Sequence, residues 1–330
     1  MAKLTGPTTV GGQEVRRVRY QDFLENLAAN SSPGEGVVVT SNVTYSYSFS
    51  YLSDGQVAND ASWTVFPVSW TVDLSNVTSD SVNFSVSSQD TSPSGLAFNN
   101  DGTKMYMVGT GNDSVYQYTL STAFDLSTAS YDSVSLNVNS QDSIPFGMAF
   151  NTDGSKMYIS GLANGTILQY SLSTAFDLST ASYDSVSFSV SSQDTVPYGL
   201  AFNSDGTKMY MVGYANASVY QYTLSTAFDL STASYDSVSF SVSSQDLVPI
   251  GLAFNSEGTK MYILGSNSIK GYQYTLSTGF DLSTASYDSV SFSVSSQDTS
   301  PQSFAFSTDG TKMYLIGRQL DRVYQYSTGL

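Results

Sequence analysis

The chain repeats itself at a fixed step. The hexapeptide DGTKMY begins at Asp101, Asp205 and Asp309, as DGSKMY at Asp153 and as EGTKMY at Glu257, each 52 residues after the last. The pair Gln-Asp ends at Asp90, Asp142, Asp194, Asp246 and Asp298, and Gln117, Gln169, Gln221, Gln273 and Gln325 keep the same interval. Five such steps make 260 residues, the length of 71–330 in a chain of 330. The units from Asp177 and Asp229 agree at 40 of 52 positions. A period of this size means stacked or ring-closed units, each unable to bury its apolar face alone.

The unit from Asp177 shows what is repeated. Ser185 to Val190 (SVSFSV) alternates strictly and puts Val186, Phe188 and Val190 on one face. Gly199 to Asn203 is a short apolar run, Asn203 to Thr207 (NSDGT) carries the residues of a tight hairpin turn, and Lys208–Gly213 and Ser218–Leu224 read as two more strands. Four short strands per unit, a turn signal about every ten residues and no helical period predict an all-β, five-bladed β-propeller of 52-residue, four-stranded blades. A solenoid would need polar capping units at its ends.

The last unit stops after its third strand, Arg322 to Tyr326, without an outer strand. The missing strand stands ahead of the first blade as Ser81 to Val86 (SVNFSV). We therefore expect an N-terminal outer strand to close the ring and remove two open sheet edges. Residues 1–70 are then a small α+β extension, and 71–330 the propeller.

The string PYGLAFNSDGTKMYMVG, from Pro197 to Gly213, resembles blades of lactonase-like and NHL-type propellers, with an apolar inner strand, an Asp-Gly turn and a Tyr in the second strand. This resemblance implies the fold and not the activity, because propellers host many unrelated functions. The string DLSTASYDSVSFSVSSQD resembles repeat-bearing structural proteins of tailed bacteriophages, which implies a virion component and transfers no functional residue.

Composition narrows the chemistry. With no Cys and no His, thiol nucleophiles, His-based triads and the usual zinc ligand sets are missing. Twelve Lys and Arg against 28 Asp and Glu give a net charge of −16, which argues against nucleic acid and anionic membrane as partners. The N-terminus MAKLTGPTTVGGQEVRRV lacks the apolar core of a secretory signal, so we expect synthesis in a cytoplasm and release within a particle.

The five units differ chiefly in two places. One is the residue after the proline that opens each inner strand: Ser94, Phe146, Tyr198, Ile250 and Gln302. The other is the loop between second and third strands: TGND, LANG, YANA, SNSI and RQLD. In an antiparallel blade both sets fall on one face. Phe146, Leu162, Tyr198, Tyr214 and Ile250 would form an apolar crescent there, with Gln302, Arg318 and Arg322 on its polar side. Aromatic anchors beside Arg suit a binding surface; loops free to drift would look the same.

The repeated Asp101 set reads as turn-stabilising, without the spacing of a calcium loop. The Asp90 set reads as capping backbone amides. No metal and no cofactor are expected. Nearly every carboxylate occurs five times, so the two distinct carboxyl environments of a glycosidase are hard to make.

In the first seventy residues Tyr20 to Ala29 can form a short helix with Phe23, Leu24 and Leu27 on one side, and Val43 to Tyr51 alternates as a strand. Arg16, Arg17 and Arg19 form the one basic cluster. We expect these residues to attach the ring to other virion proteins in an oligomeric assembly; a lid on the propeller's own flank is the alternative. The chain thus reads as a non-enzymatic virion structural protein of a tailed phage, a fibre, baseplate or decoration component that meets a protein or a host-surface glycan. A multivalent lectin is the first rival and a lactonase-like or glycosidase-like enzyme the second.

Overall fold

A computed structural model describes residues 8–10, 13–17, 46–48 and 70–330, which fall into two units, Met1–Ser69 and Trp70–Leu330. In the first unit β1 (Thr8–Val10), β2 (Gln13–Arg17) and β3 (Ser46–Ser48) form an antiparallel sheet in that order. Arg16 and Arg17 lie on β2, paired with Tyr47 and Ser46. The expected helix, with Phe23, Leu24 and Leu27, and also Arg19, lies outside the described residues.

The second unit is five antiparallel four-stranded sheets. Blade one holds β5 (Pro93–Phe98), β6 (Lys104–Gly109), β7 (Ser114–Leu120) and β8 (Ala129–Asn137) from the axis outward. The pattern recurs in blades two, three and four (145–189, 197–241 and 249–293). Blade five is β21 (Pro301–Phe306), β22 (Lys312–Gly317), β23 (Arg322–Ser327) and, as its outer strand, β4 (Thr78–Ser85). Val323 faces Phe84 and Gln325 faces Val82, so the N-terminal strand closes the ring as the sequence predicts.

Alternate side chains of each second strand serve opposite blade interfaces, as the two-residue strand period requires. In blade three Met209 and Met211 pack against blade two, while Tyr210 and Val212 pack against blade four. The core is therefore five inter-blade clusters and not one central mass. Polar groups tie the same interfaces. Each third-strand Gln accepts through Oε1 from a leucine amide of the next blade: Gln117 from Leu178 (2.8 Å), Gln169 from Leu230 (2.9 Å), Gln221 from Leu282 (2.9 Å), Gln273 from Leu74 (2.9 Å) and Gln325 from Leu126 (2.8 Å). The buried hydroxyls of Tyr106, Tyr158, Tyr210, Tyr262 and Tyr314 donate across the same interfaces to the carbonyls of Phe176, Phe228, Phe280, Val72 and Phe124.

Two features depart from the sequence reading. The outer strand of blade two starts at Ala181, four residues before the SVSFSV run, and carries a bulge. Gln169 pairs with Val186 while Tyr170 pairs with Tyr183, and Ser185 adopts φ 58°. The bulge turns Asp184 inward, where its Oδ2 accepts from Gln169 Nε2 at 2.8 Å and meets Lys156 Nζ at 3.5 Å. An aspartate that reads as loop is thus the anchor of a strand, and the kink also spoils the outer edge as a template for further pairing. The second departure is at the closure. Phe124, Phe176, Phe228 and Phe280 each seat a ring against a turn glycine of the same blade, but position 72 is Val. Trp70 fills the vacant seat in blade five: a Cβ on Gly310, at φ 72°, would lie 2.6 Å from its Cδ2. Trp70 also stacks with Tyr262 at 6.5 Å between centroids.

Candidate functional site

The variable face is built on one rigid device per blade. Asp90 is 1% exposed and accepts from Ser92 N (2.7 Å) and Gly111 N (3.1 Å) through Oδ1 and from Asn112 N (2.9 Å) through Oδ2. It thereby joins the turn entering the inner strand to the loop between second and third strands. Asp194 does the same for Val196, Ala215 and Asn216. The Asp90 set thus caps backbone amides, as its sequence context suggests. In blade five the device is looser, with Asp298 at 3.4 Å from both Gln319 N and Leu320 N.

The residues after the opening prolines form a plug over the ring axis. Phe146 and Ile250 are buried in one apolar cluster, and Leu162 and Tyr198 pack partly buried against it. Phe146 and Tyr198 rings lie 4.3 Å apart, and Tyr198 and Tyr214 6.0 Å apart. Ser94, also buried, donates to the carbonyls of Val108 and Pro145. Gln302 is 8% exposed and donates to Pro301 O at 2.9 Å. Beneath the plug the inner strands nearly touch: a Cβ on Gly147 would lie 2.3 Å from Tyr198 O of the next blade. Side chains from blades two, three and four thus pack together at this end of the ring.

The structure separates the sequence-predicted residues into different roles. Phe146, Ile250 and Gln302 are plug, Leu162 and Tyr198 its partly covered rim, and Tyr214 stands out at 42% exposed. Arg318 is exposed and spans blades five and one through a 2.8 Å bond from Nη2 to Ser92 Oγ. Arg322 donates from Nη1 to Asn83 Oδ1 at 3.0 Å, on the closing strand. Three exposed apolar residues of this face escaped the sequence reading: Ile144 (43%), Leu247 (63%) and Leu320 (52%). Internal comparison could have found them, since the other blades carry Ser, Thr or Asn at most of these positions. Ile269 is a further singularity. It holds φ 58°, a region costly for a β-branched residue, where the other blades place Asp, Gly or Ala.

Electrostatics single out the blade-five loop. Burial raises the pKa of Asp321, repulsion from Asp90 and Asp298 adds to it, and Arg318 opposes it. Its Oδ1 is buried with no hydrogen-bond partner among the described residues. Burial likewise raises Tyr198, with Tyr214 adding and Arg318 opposing. Asp90 and Asp298 engage backbone amides through both oxygens.

No family model matches the chain, and no curated protein matches it. Solved structures similar in fold include a candidate 6-phosphogluconolactonase from Bacteroides uniformis, 11% identical over 87% of this chain and 70% of that one at a TM-score of 0.43. A functionally unknown protein from Desulfotomaculum acetoxidans is 13% identical over 68% and 65%, at 0.45. Virginiamycin B lyase from Staphylococcus aureus is 12% identical over 74% and 98%, at 0.43. At these scores neither activity nor residue roles transfer; what stands is an all-β ring of five four-stranded blades.

Proposed function

We propose that the ring is a non-enzymatic binding or structural module whose contact surface is the variable face. The observation that carries this is the set of exposed apolar side chains on that face, around the packed cluster of Phe146, Ile250 and Tyr198. Ile144, Tyr214, Leu247 and Leu320 offer exposed apolar side chains to a macromolecule on that face. The finer reading, a component of a tailed-phage particle attached through residues 1–70, rests on the repeat string alone. A glycan reading is favoured by the Tyr198–Tyr214 pair, and it predicts one site per chain instead of five, since no other blade carries such a pair.

Purified protein tested on lactones and aryl glycosides, with and without divalent cations, is expected to give no turnover. Turnover abolished by Asp321→Asn would refute the non-enzymatic reading. Retention on intact host cells or particles that Tyr214→Ala removes would support the contact face.

A further inference from the structure

The charge of the ring is sorted by face. The 22 acids and eight bases of residues 71–330 divide without remainder. The end that carries the Asp-Gly turns holds fifteen acids and five lysines, or −10. Four of its five lysines lie within 2.7 Å of an aspartate across the sheet, and the ten other carboxylates of this end, exposed or half-buried, have no ion-pair partner among the described residues. The variable end holds Lys270, Arg318, Arg322, Asp113 and Asp321, or +1, beside the five turn aspartates buried under backbone amides. With those counted it carries −4. Among the described residues every exposed large apolar side chain except Leu330 lies on this second end.

This distribution selects a partner. A cationic partner would choose the −10 face, and a nucleic acid or anionic membrane would need more than three basic side chains. An isologous contact needs a surface that complements itself, with apolar groups and both signs of charge. The variable face has both. Two copies meeting there would also keep their −10 faces outward. Six-residue inner strands at ~3.3 Å per residue make each ring about 20 Å thick, so those faces would stand well beyond a Debye length of ~8 Å.

We propose that the variable face docks on the same face of a second copy of this chain, with the two-fold axis perpendicular to the ring axis. The proposal rests on the reading of that face as a contact surface and names its partner.

The absence of cysteine makes the test clean, because a single introduced Cys carries a spin label without background. Full-length chain is labelled at Thr195→Cys, exposed on the variable face, or at Ser204→Cys, exposed on the opposite one. Sedimentation is expected to give a dimer, with the inter-copy distance at 195 shorter than at 204. Leu247→Asp with Leu320→Asp should weaken the dimer at least ~10-fold and leave the melting temperature unchanged at dilutions where both proteins are monomeric. A dimer with the shorter distance at 204 overturns the proposal. So does a monomer; if a photo-cross-linker at 195 then captures a different macromolecule, the contact face survives without the second copy, and if it captures none, both readings fall.

Discussion

Gly271 leaves a hole that the other four blades fill. At this third-strand position blades one, two, three and five carry Val115, Ile167, Val219 and Val323, all fully buried. Around Gly271 Leu74, Leu264, Phe292, Val294, Phe304, Met313 and Leu315 line an apolar void. A Cβ there would meet only Leu74 Cδ1, at an ordinary 3.5 Å. Gly271→Val should therefore be accepted on the existing backbone. Burying a valine side chain contributes ~1.5–3 kcal/mol, and removing a strand glycine adds ~0.5–1 kcal/mol. Because the void is small and its lining has to adjust, we expect a net gain of about 2 kcal/mol. At ~2–4 °C per kcal/mol for a domain of this size, the melting temperature should rise by about 5 °C. Urea unfolding followed by tryptophan emission, to which buried Trp70 contributes, gives the midpoint at constant slope. Val219→Gly is the reciprocal control and should cost about 3 kcal/mol. A lowered midpoint for Gly271→Val, or a neutral Val219→Gly, would refute the account of the blade interfaces.

Other perturbations probe the closure, the loop clamps and the ion pairs. Trp70→Ala empties the seat over Gly310 and should cost ~3–5 kcal/mol in thermal unfolding, while Trp70→Phe, the residue type of the other blades, retains most of it. Asp194→Ala strands three amides and should cost about 3 kcal/mol or more by chemical denaturation, with Asp298→Ala milder because its bonds to the loop are long. Burial works to raise the pKa of Asp80, Asp132, Asp236 and Asp288, but bonds from lysine, Ser or Thr, and Gln outweigh it and hold each below the ordinary value. A carboxylate lowered in the folded state contributes stability that is present above the unfolded pKa near 3.9 and lost as pH falls through the folded values. With no His, the denaturation midpoint should stay flat from about pH 5 to pH 8 and drop only below about pH 4. Asp321 has the opposite sign: its raised pKa means stability lost as pH rises through it, so Asp321→Asn should stabilise the ring at neutral pH and have no effect in acid.

The periodic parts of the fold were legible because sequence identity at a 52-residue step is a statement about geometry. Lys208–Gly213 and Ser218–Leu224 have the bounds that the sequence predicts, and the pairing of Ser81–Val86 with the last blade follows from a missing strand at one end and a spare one at the other. What escaped were features whose cause is three-dimensional. The αL serine of each outer strand looks like any other serine; only the pull of the third-strand Gln and of Lys156 on Asp184 explains why the strand bulges there. Trp70 could not be placed because the blade pattern has phenylalanine two residues later. The variable inner-strand residues were legible as a set on one face, yet their burial depends on how narrow the axis is, and no single blade reveals that.

The clamp explains why variation gathers where it does. Asp194 binds the loop of blade three through the backbone amides of Ala215 and Asn216, and Asp142 binds that of blade two through Ala163 and Asn164. A hold on main-chain N–H groups is indifferent to side-chain identity, so TGND, LANG, YANA and SNSI can share one loop path. Tolerance of change on this face is therefore a property of the scaffold, and variability alone is no sign of selection. Exposed apolar residues are a different matter. The clamp permits Leu247, Tyr214 and Leu320, but nothing in the ring requires them, and each exposes surface that an Asn, Ser or Thr in another blade does not. Drift under a solubility constraint should remove such residues or scatter them over both faces. Their confinement to one face, with the loosest clamp under the loop that carries Arg318, Leu320 and Asp321, is what a surface shaped by a partner would look like.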